Sequence, residues 1–215
     1  MRSEVIRKAL SVGVATGLYG VSLGALGVAN GLSVLQTCAT SLLLFSGGSQ
    51  FALIGILGGG GSAASAITAS SLLGIRNGLY GLQMKTILRP HGVVRPVAAQ
   101  LTIDESTAVA IGQSDPELQR LGFWVTGVCI FVVWNLTTLV GALAGNALGD
   151  PKQYGLDAAA AGAFLALLWP RLHGREPIAI AVAAALVAAA LVPVVPAGLP
   201  VVAAAAVAVV AGLRR

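Results

Sequence analysis

The sequence predicts an all-α, polytopic membrane protein of six to eight apolar segments, with some helices broken or re-entrant. Three observations carry that reading. Of 215 residues, 56% are hydrophobic and only 10% charged, against about 25% charged in an average soluble domain. Mean hydropathy is +0.87, so the chain lacks the polar residues that would cover a surface in water. The apolar residues also come in continuous blocks of helix-spanning length, not in the alternating segments of about ten residues that build a transmembrane barrel. The 28 glycines show no Gly-X-Y period, which excludes a collagen-like fibre.

Taken in order, the blocks are Ala9–Asn30, Leu32–Leu57, Ala63–Leu82, Val97–Ile111, Leu121–Leu148, Leu156–Trp169, Ile178–Val192 and Ala197–Leu213. The first follows Arg2, Arg7 and Lys8 as a signal peptide would, but runs to Asn30 without a cleavage site and reads as a retained span. The second is interrupted by Ser46-Gly47-Gly48-Ser49-Gln50. Between the second and third, Gly58 to Ser62 reads as an interhelical turn, since it has neither the lysine nor the preceding strand of a phosphate loop. The fourth block is too short for the roughly 20 residues a crossing needs and carries Asp104 and Glu105.

Charge placement sorts the layout. If every block crossed once, Lys85, Arg89 and Arg95 would face outward, against the positive-inside tendency. If the second and fourth blocks dip in and turn back, then Arg2, Arg7, Lys8, Lys85, Arg89, Arg95, Arg120, Arg171, Arg175, Arg214 and Arg215 fall on the cytoplasmic side, leaving Lys152 outside. Both termini are then cytoplasmic. The chain reads as one transmembrane domain, 1–215. A duplication of about 9–112 and 120–213, pairing Gly17 with Gly141 and Gly31 with Gly155, stays open beside an unduplicated run of similar helices.

No soluble-enzyme or cofactor motif is present, so neither an enzyme nor a cofactor is expected, and the basic residues lie between blocks, where they set topology and imply no nucleic acid. Cys38 and Cys129 sit inside apolar blocks and read as buried small residues; His91 and His173 sit in basic loops and read as solvated. Polarity inside the blocks is what stands out, because it is costly in a bilayer unless a partner or watery cavity receives it. At Ser46 to Gln50 two glycines should unwind the helix, and the start of the next one, near Ser49, would suit a carboxylate. Arg76, with Asn77 beside it, reads either as a carboxylate ligand or as a snorkelling arginine. Asp104 and Glu105 point about 100° apart on a helix, so one should hold a substrate ammonium or carry a coupling proton while the other pairs with Arg76 or Lys85.

These segments, in this order, resemble the AzlC family, large subunits of bacterial branched-chain amino-acid exporters. Ser41 to Phe51 resembles the family's Ser-x-x-x-Phe-x-Gly-x-x-Gln-Phe segment, Arg76 to Tyr80 its Asn-x-Arg-His-x-x-Tyr segment, and Thr102 to Glu105 its Thr-Asp-Glu. Trp134, Gly141, Gly145, Gly155 to Asp157 and Phe164 to Leu168 fit its second half. Two departures are Gly74, where members usually carry Asn, and Asn77, where they usually carry His. The resemblance implies proton-driven export of valine, leucine or isoleucine together with a small AzlD-type membrane subunit. A passive channel, which would line a continuous lumen with polar residues, and a non-transporting membrane scaffold are the competing classes.

Overall fold

A computed structural model describes residues 1–147, 165, 168, 169, 172–195 and 199–213, and the described residues are helical throughout, joined by short turns. In chain order the helices are α1 (Arg2–Leu18), α2 (Gly20–Ala29), α3 (Val34–Leu44), α4 (Gly47–Gly58), α5 (Ala63–Leu88), α6 (Val94–Gln100), α7 (Asp104–Ile111), α8 (Pro116–Ala147), α9 (Arg175–Leu191) and α10 (Leu199–Leu213). The sixth apolar block and the proposed second break, around Gly155 to Leu168, lie almost wholly outside the described residues, as do Lys152, Arg171, Arg214 and Arg215.

Among the described residues, two helical stretches are long and apolar enough to cross a bilayer. One is α1–α2, 28 residues bent at Tyr19, and the other is α8, 32 residues. They run parallel and in contact. Gly13 faces Cys129, Gly17 faces Val133, Gly20 faces Thr137, and Gly24 lies against the Thr138 backbone. At the closest point Gly24 and Gly141 meet the opposite main chain, so any side chain there would overlap it. Small residues let backbones approach in this way where lipid supplies no hydrophobic drive between helices. Thr137 adds an interhelical hydrogen bond, its Oγ1 donating to the Gly17 carbonyl at 2.6 Å.

The interrupted blocks each double back. Thr37, early in α3, packs against Gly27, and Gly58, at the end of α4, packs against Asn30, so both outer ends of this pair stand beside the end of α2. Ser33 caps α3, accepting from Gln36 N while Gln36 returns a bond to Ser33 N. In the other pair, Leu101 meets α8 at Gly127 and Val109 meets it at Gly122, one to two turns nearer its start. Arg120 Nε donates to the Ile87 carbonyl at 3.0 Å, which places the end of α5 beside the start of α8. The α6–α7 hairpin therefore enters from the end that holds Arg2, Arg7, Lys8, Lys85 and Arg120, and α3–α4 enters from the opposite end. With 7 and 8 residues, α6 and α7 are about 10 and 12 Å long, far short of a hydrocarbon core of about 30 Å.

The core lies where these elements converge, with Leu23, Leu26, Phe45, Phe51, Ile54, Phe123, Ile130 and Trp134 buried together. The α9–α10 hairpin touches this body through Val202, which packs on Ile56, Ala66 and Ala69. Cys38 and Cys129 are free thiols.

Candidate functional site

The hairpin tips meet around a cavity of about 250 Å³, lined by residues of both tips together with Thr16, Tyr19, Leu73, Arg76, Asn77, Ile130 and Trp134. That is just below the roughly 300–1,000 Å³ of drug-sized pockets and suits a small metabolite.

At the first tip the helix is lost at Phe45 and Ser46 alone, and Gly47 and Gly48 already form the first turn of α4. This corrects the expectation that the link from Ser46 to Gln50 is unwound and that the new helix starts near Ser49. The glycines serve close approach instead: a methyl on Gly47 would stand 3.2 Å from the Trp134 ring, and one on Gly48 would stand 3.1 Å from the Arg76 guanidinium. Ser46 does not cap α4 with its side chain, its hydroxyl pairing with Ser49 Oγ at 3.2 Å. The first-turn N–H groups, which no helix can satisfy internally, thus give this end its partial positive charge beside the cavity.

The carbonyl end of α3 is closed by two glutamines. Gln50 Nε2 donates to the Thr40 and Ser41 carbonyls at 3.1 and 3.3 Å, and Gln100 Nε2 donates to the Leu42 carbonyl at 2.8 Å. Gln50 and Ser49, both expected as substrate ligands, are fully buried and do not line the cavity. Their place in the fold is behind its wall.

At the second tip the break covers Leu101 to Ile103. Ser106 Oγ donates to the Leu101 carbonyl at 2.6 Å and accepts from Ile103 N at 3.1 Å, while Thr102 Oγ1 donates to the Ala98 carbonyl at 2.7 Å. Asp104 and Glu105 open α7, where the helix dipole favours carboxylates. Arg76 Nη1 lies 2.8 Å from Asp104 Oδ2, with the two side chains 30% and 21% exposed. Of the alternatives for Arg76, the geometry selects an acidic partner within the chain, and Asp104 is the carboxylate that takes it.

The cavity brings together Ser46, Gly47, Gly48, Arg76, Asn77, Asp104 and Glu105. Its chemistry is divided: helix-start amides and a guanidinium suit a carboxylate, Asp104 and Glu105 suit an ammonium, and Phe45, Ile103, Ile130 and Trp134 form an apolar wall. Arg76, Asn77 and Trp134 also carry buried atoms, Arg76 Nε, Asn77 Oδ1 and Trp134 Nε1, that have no hydrogen-bond partner among the described residues. Sequence reasoning missed Thr16, Tyr19 and Gln100 here, and took Trp134 only as a mark of resemblance. Gln100, a polar residue just ahead of Thr102 inside an apolar block, was the readable signal among them. Among the described residues no group of His, Cys, Asp or Glu is placed to hold a metal ion.

The model of the family described as AzlC protein matches residues 11–148, which contain both hairpins and, among the described residues lining the cavity, all but Leu168. The chain belongs to the AzlC family. It is a membrane protein of that family, and it is also similar to an uncharacterized membrane protein of Archaeoglobus fulgidus, with 33% identity over 160 residues covering 72% of this chain and 68% of the relative. No solved structure matches the chain.

Proposed function

We propose that this AzlC-family chain is the large subunit of a secondary exporter that moves valine, leucine and isoleucine out of the cell, coupled to protons and completed by a small AzlD-type membrane subunit. The observation that carries the reading is the divided cavity, in which both ends of a zwitterion and an apolar side chain find matching chemistry within a space suited to a small metabolite. Desolvating a zwitterion requires that both charges be replaced by paired charges or aligned dipoles. In inverted-repeat transporters, broken helices near the bilayer midplane supply such groups. Here the paired tips of α3–α4 and α6–α7 would sit at mid-depth, with α1–α2, α5 and α8 among the crossings and both termini in the cytoplasm of a bacterial inner membrane.

The coupling follows from the ion pair. Arg76 and Asp104 hold each other in the absence of cargo. A proton on Asp104, or a substrate ammonium beside it, weakens that pair and releases Arg76 toward the substrate carboxylate. Counterflow of labelled valine in proteoliposomes, with and without the small subunit, tests the reading. Valine-dependent uptake that requires both subunits is expected. Uptake of polar solutes down their gradients without exchange would indicate a channel, and no flux with both subunits present would indicate a scaffold.

A further inference from the structure

A second cavity, of about 590 Å³, opens at the basic end between the last turns of α5 and the start of α6, lined by Gly81, Met84, Lys85, Leu88, Arg89, Pro90, His91, Arg95, Ala98, Ala99 and Thr102. Lys85, Arg89 and Arg95 give it three permanent positive charges, and no acidic residue lines it. The ring of charge is shaped by the backbone. Arg89 ends α5 in the left-handed region, at φ 46 and ψ 52, the one non-glycine residue with positive φ among those described. Arg95 Nε donates to the Pro90 carbonyl at 3.2 Å, which folds the turn back over α6. A strained residue persists where its surroundings over-determine it, and such residues gather at sites that hold ligands.

We propose that this groove binds the phosphate headgroup of an anionic phospholipid. Three cations without a counter-charge among the described residues suit a phosphate ester, which Arg engages through its planar fork and Lys as a point charge. A lipid is favoured over free phosphate by the groove's rim. Val93, 83% exposed in the turn between the lining residues His91 and Arg95, offers apolar surface to an acyl chain beside the charges. Basic pockets between helices on the cytoplasmic side of a membrane protein take anionic headgroups in this manner. The groove runs along α6 to Thr102, in the break just before Asp104, so a bound headgroup would press on the α6–α7 hairpin. The inference concerns a site separate from the cargo cavity and holds whatever that cavity carries.

Native mass spectrometry of the full chain, purified and exposed to phosphatidylglycerol or phosphatidylcholine, tests this directly. The unaltered protein should retain phosphatidylglycerol in preference. Combined Lys85→Gln, Arg89→Gln and Arg95→Gln should weaken retention at least tenfold, since each basic side chain near the surface contributes about 1 kcal/mol. Combined Arg2→Gln, Arg7→Gln and Lys8→Gln, which removes equal charge elsewhere on the same end, should leave retention nearly intact. Should the groove triple variant fail to insert, the single Lys85→Gln change on the exposed face of α5 should still weaken retention several-fold. Equal retention by all variants, loss confined to the amino-terminal set, or full displacement of lipid by millimolar inorganic phosphate would each overturn the proposal, the last by assigning the groove to the free ion.

Discussion

The α3–α4 tip closes its carbonyl end on two amides, Gln50 from its own second helix and Gln100 from the opposing hairpin, whereas the α6–α7 tip closes wholly on its own hydroxyls, Thr102 and Ser106. The two also differ in charge. The first presents only oriented backbone amides and glycines, while the second presents Asp104 and Glu105. A self-contained tip can move as a unit, but a tip held by Gln100 keeps its form only while α6 stays in place. Under the proposed function the α6–α7 hairpin, which bears the carboxylates, would take the proton, and α3–α4 would meet the cargo carboxylate.

The strongest break of this contrast is at the first tip. Gly47→Leu combined with Gly48→Leu would drive side chains into the Trp134 ring and the Arg76 guanidinium. Valine efflux should fall to background while membrane insertion, measured by protein level in isolated membranes, stays close to normal. Normal efflux would remove the first tip from the site.

Next in size is the charged tip. Asp104→Asn should abolish uphill efflux yet leave exchange of labelled valine if Asp104 carries the proton, and abolish both if it holds the ammonium. Its stability cost should be about 1–3 kcal/mol, below the 3–5 kcal/mol for breaking a fully buried pair, because both partners retain some solvent. Replacing both partners, Arg76→Leu with Asp104→Leu, should recover much of that stability without recovering efflux. Thermal unfolding in detergent alongside efflux separates the two effects. Glu105→Gln sharpens the assignment, since full efflux in both acidic variants would place the pair outside the mechanism.

A smaller effect is expected between the hairpins. Gln100→Leu leaves the Leu42 carbonyl without its donor and should cost about 0.5–1.5 kcal/mol, with faster amide exchange at the end of α3. Ser106→Ala should raise exchange within α6–α7 and leave α3 unchanged. Similar spread from both variants would erase the distinction between a dependent and a self-contained tip. The smallest effect on transport is expected from Gln50→Leu, which should lower thermal stability while changing the KM for valine by less than about threefold, because Gln50 contacts α3 and not the cavity.

Much of this was legible in the sequence because single-chain physics decides it. Continuous apolar blocks fix helices, and a charge within a short block marks Asp104 as exceptional. The basic residues Lys85 to Arg95 require the chain to turn back twice before them and after them. What was hidden depends on neighbours distant in sequence. Gly47 and Gly48 read as helix breakers, but their use is the approach of Trp134 and Arg76. Gln50 sits among residues that line the cavity, and only the position of the α3 carbonyls reveals that its amide is already engaged. Tyr19 has no distinguishing mark within its apolar block, and only the bend between α1 and α2 brings it to the cavity.

The central claim is that the space between the two tips holds the amino acid. Protection of a cavity thiol tests it most directly. With Cys38→Ala and Cys129→Ala removing the native thiols, Ile103→Cys places a reactive group on the cavity wall, and alkylation by a small polar maleimide is timed in proteoliposomes holding both subunits. Valine and leucine should slow the labelling in a saturable way, and lysine should not. Labelling that proceeds at the same rate with and without valine, in vesicles that still exchange valine, would place the cargo elsewhere.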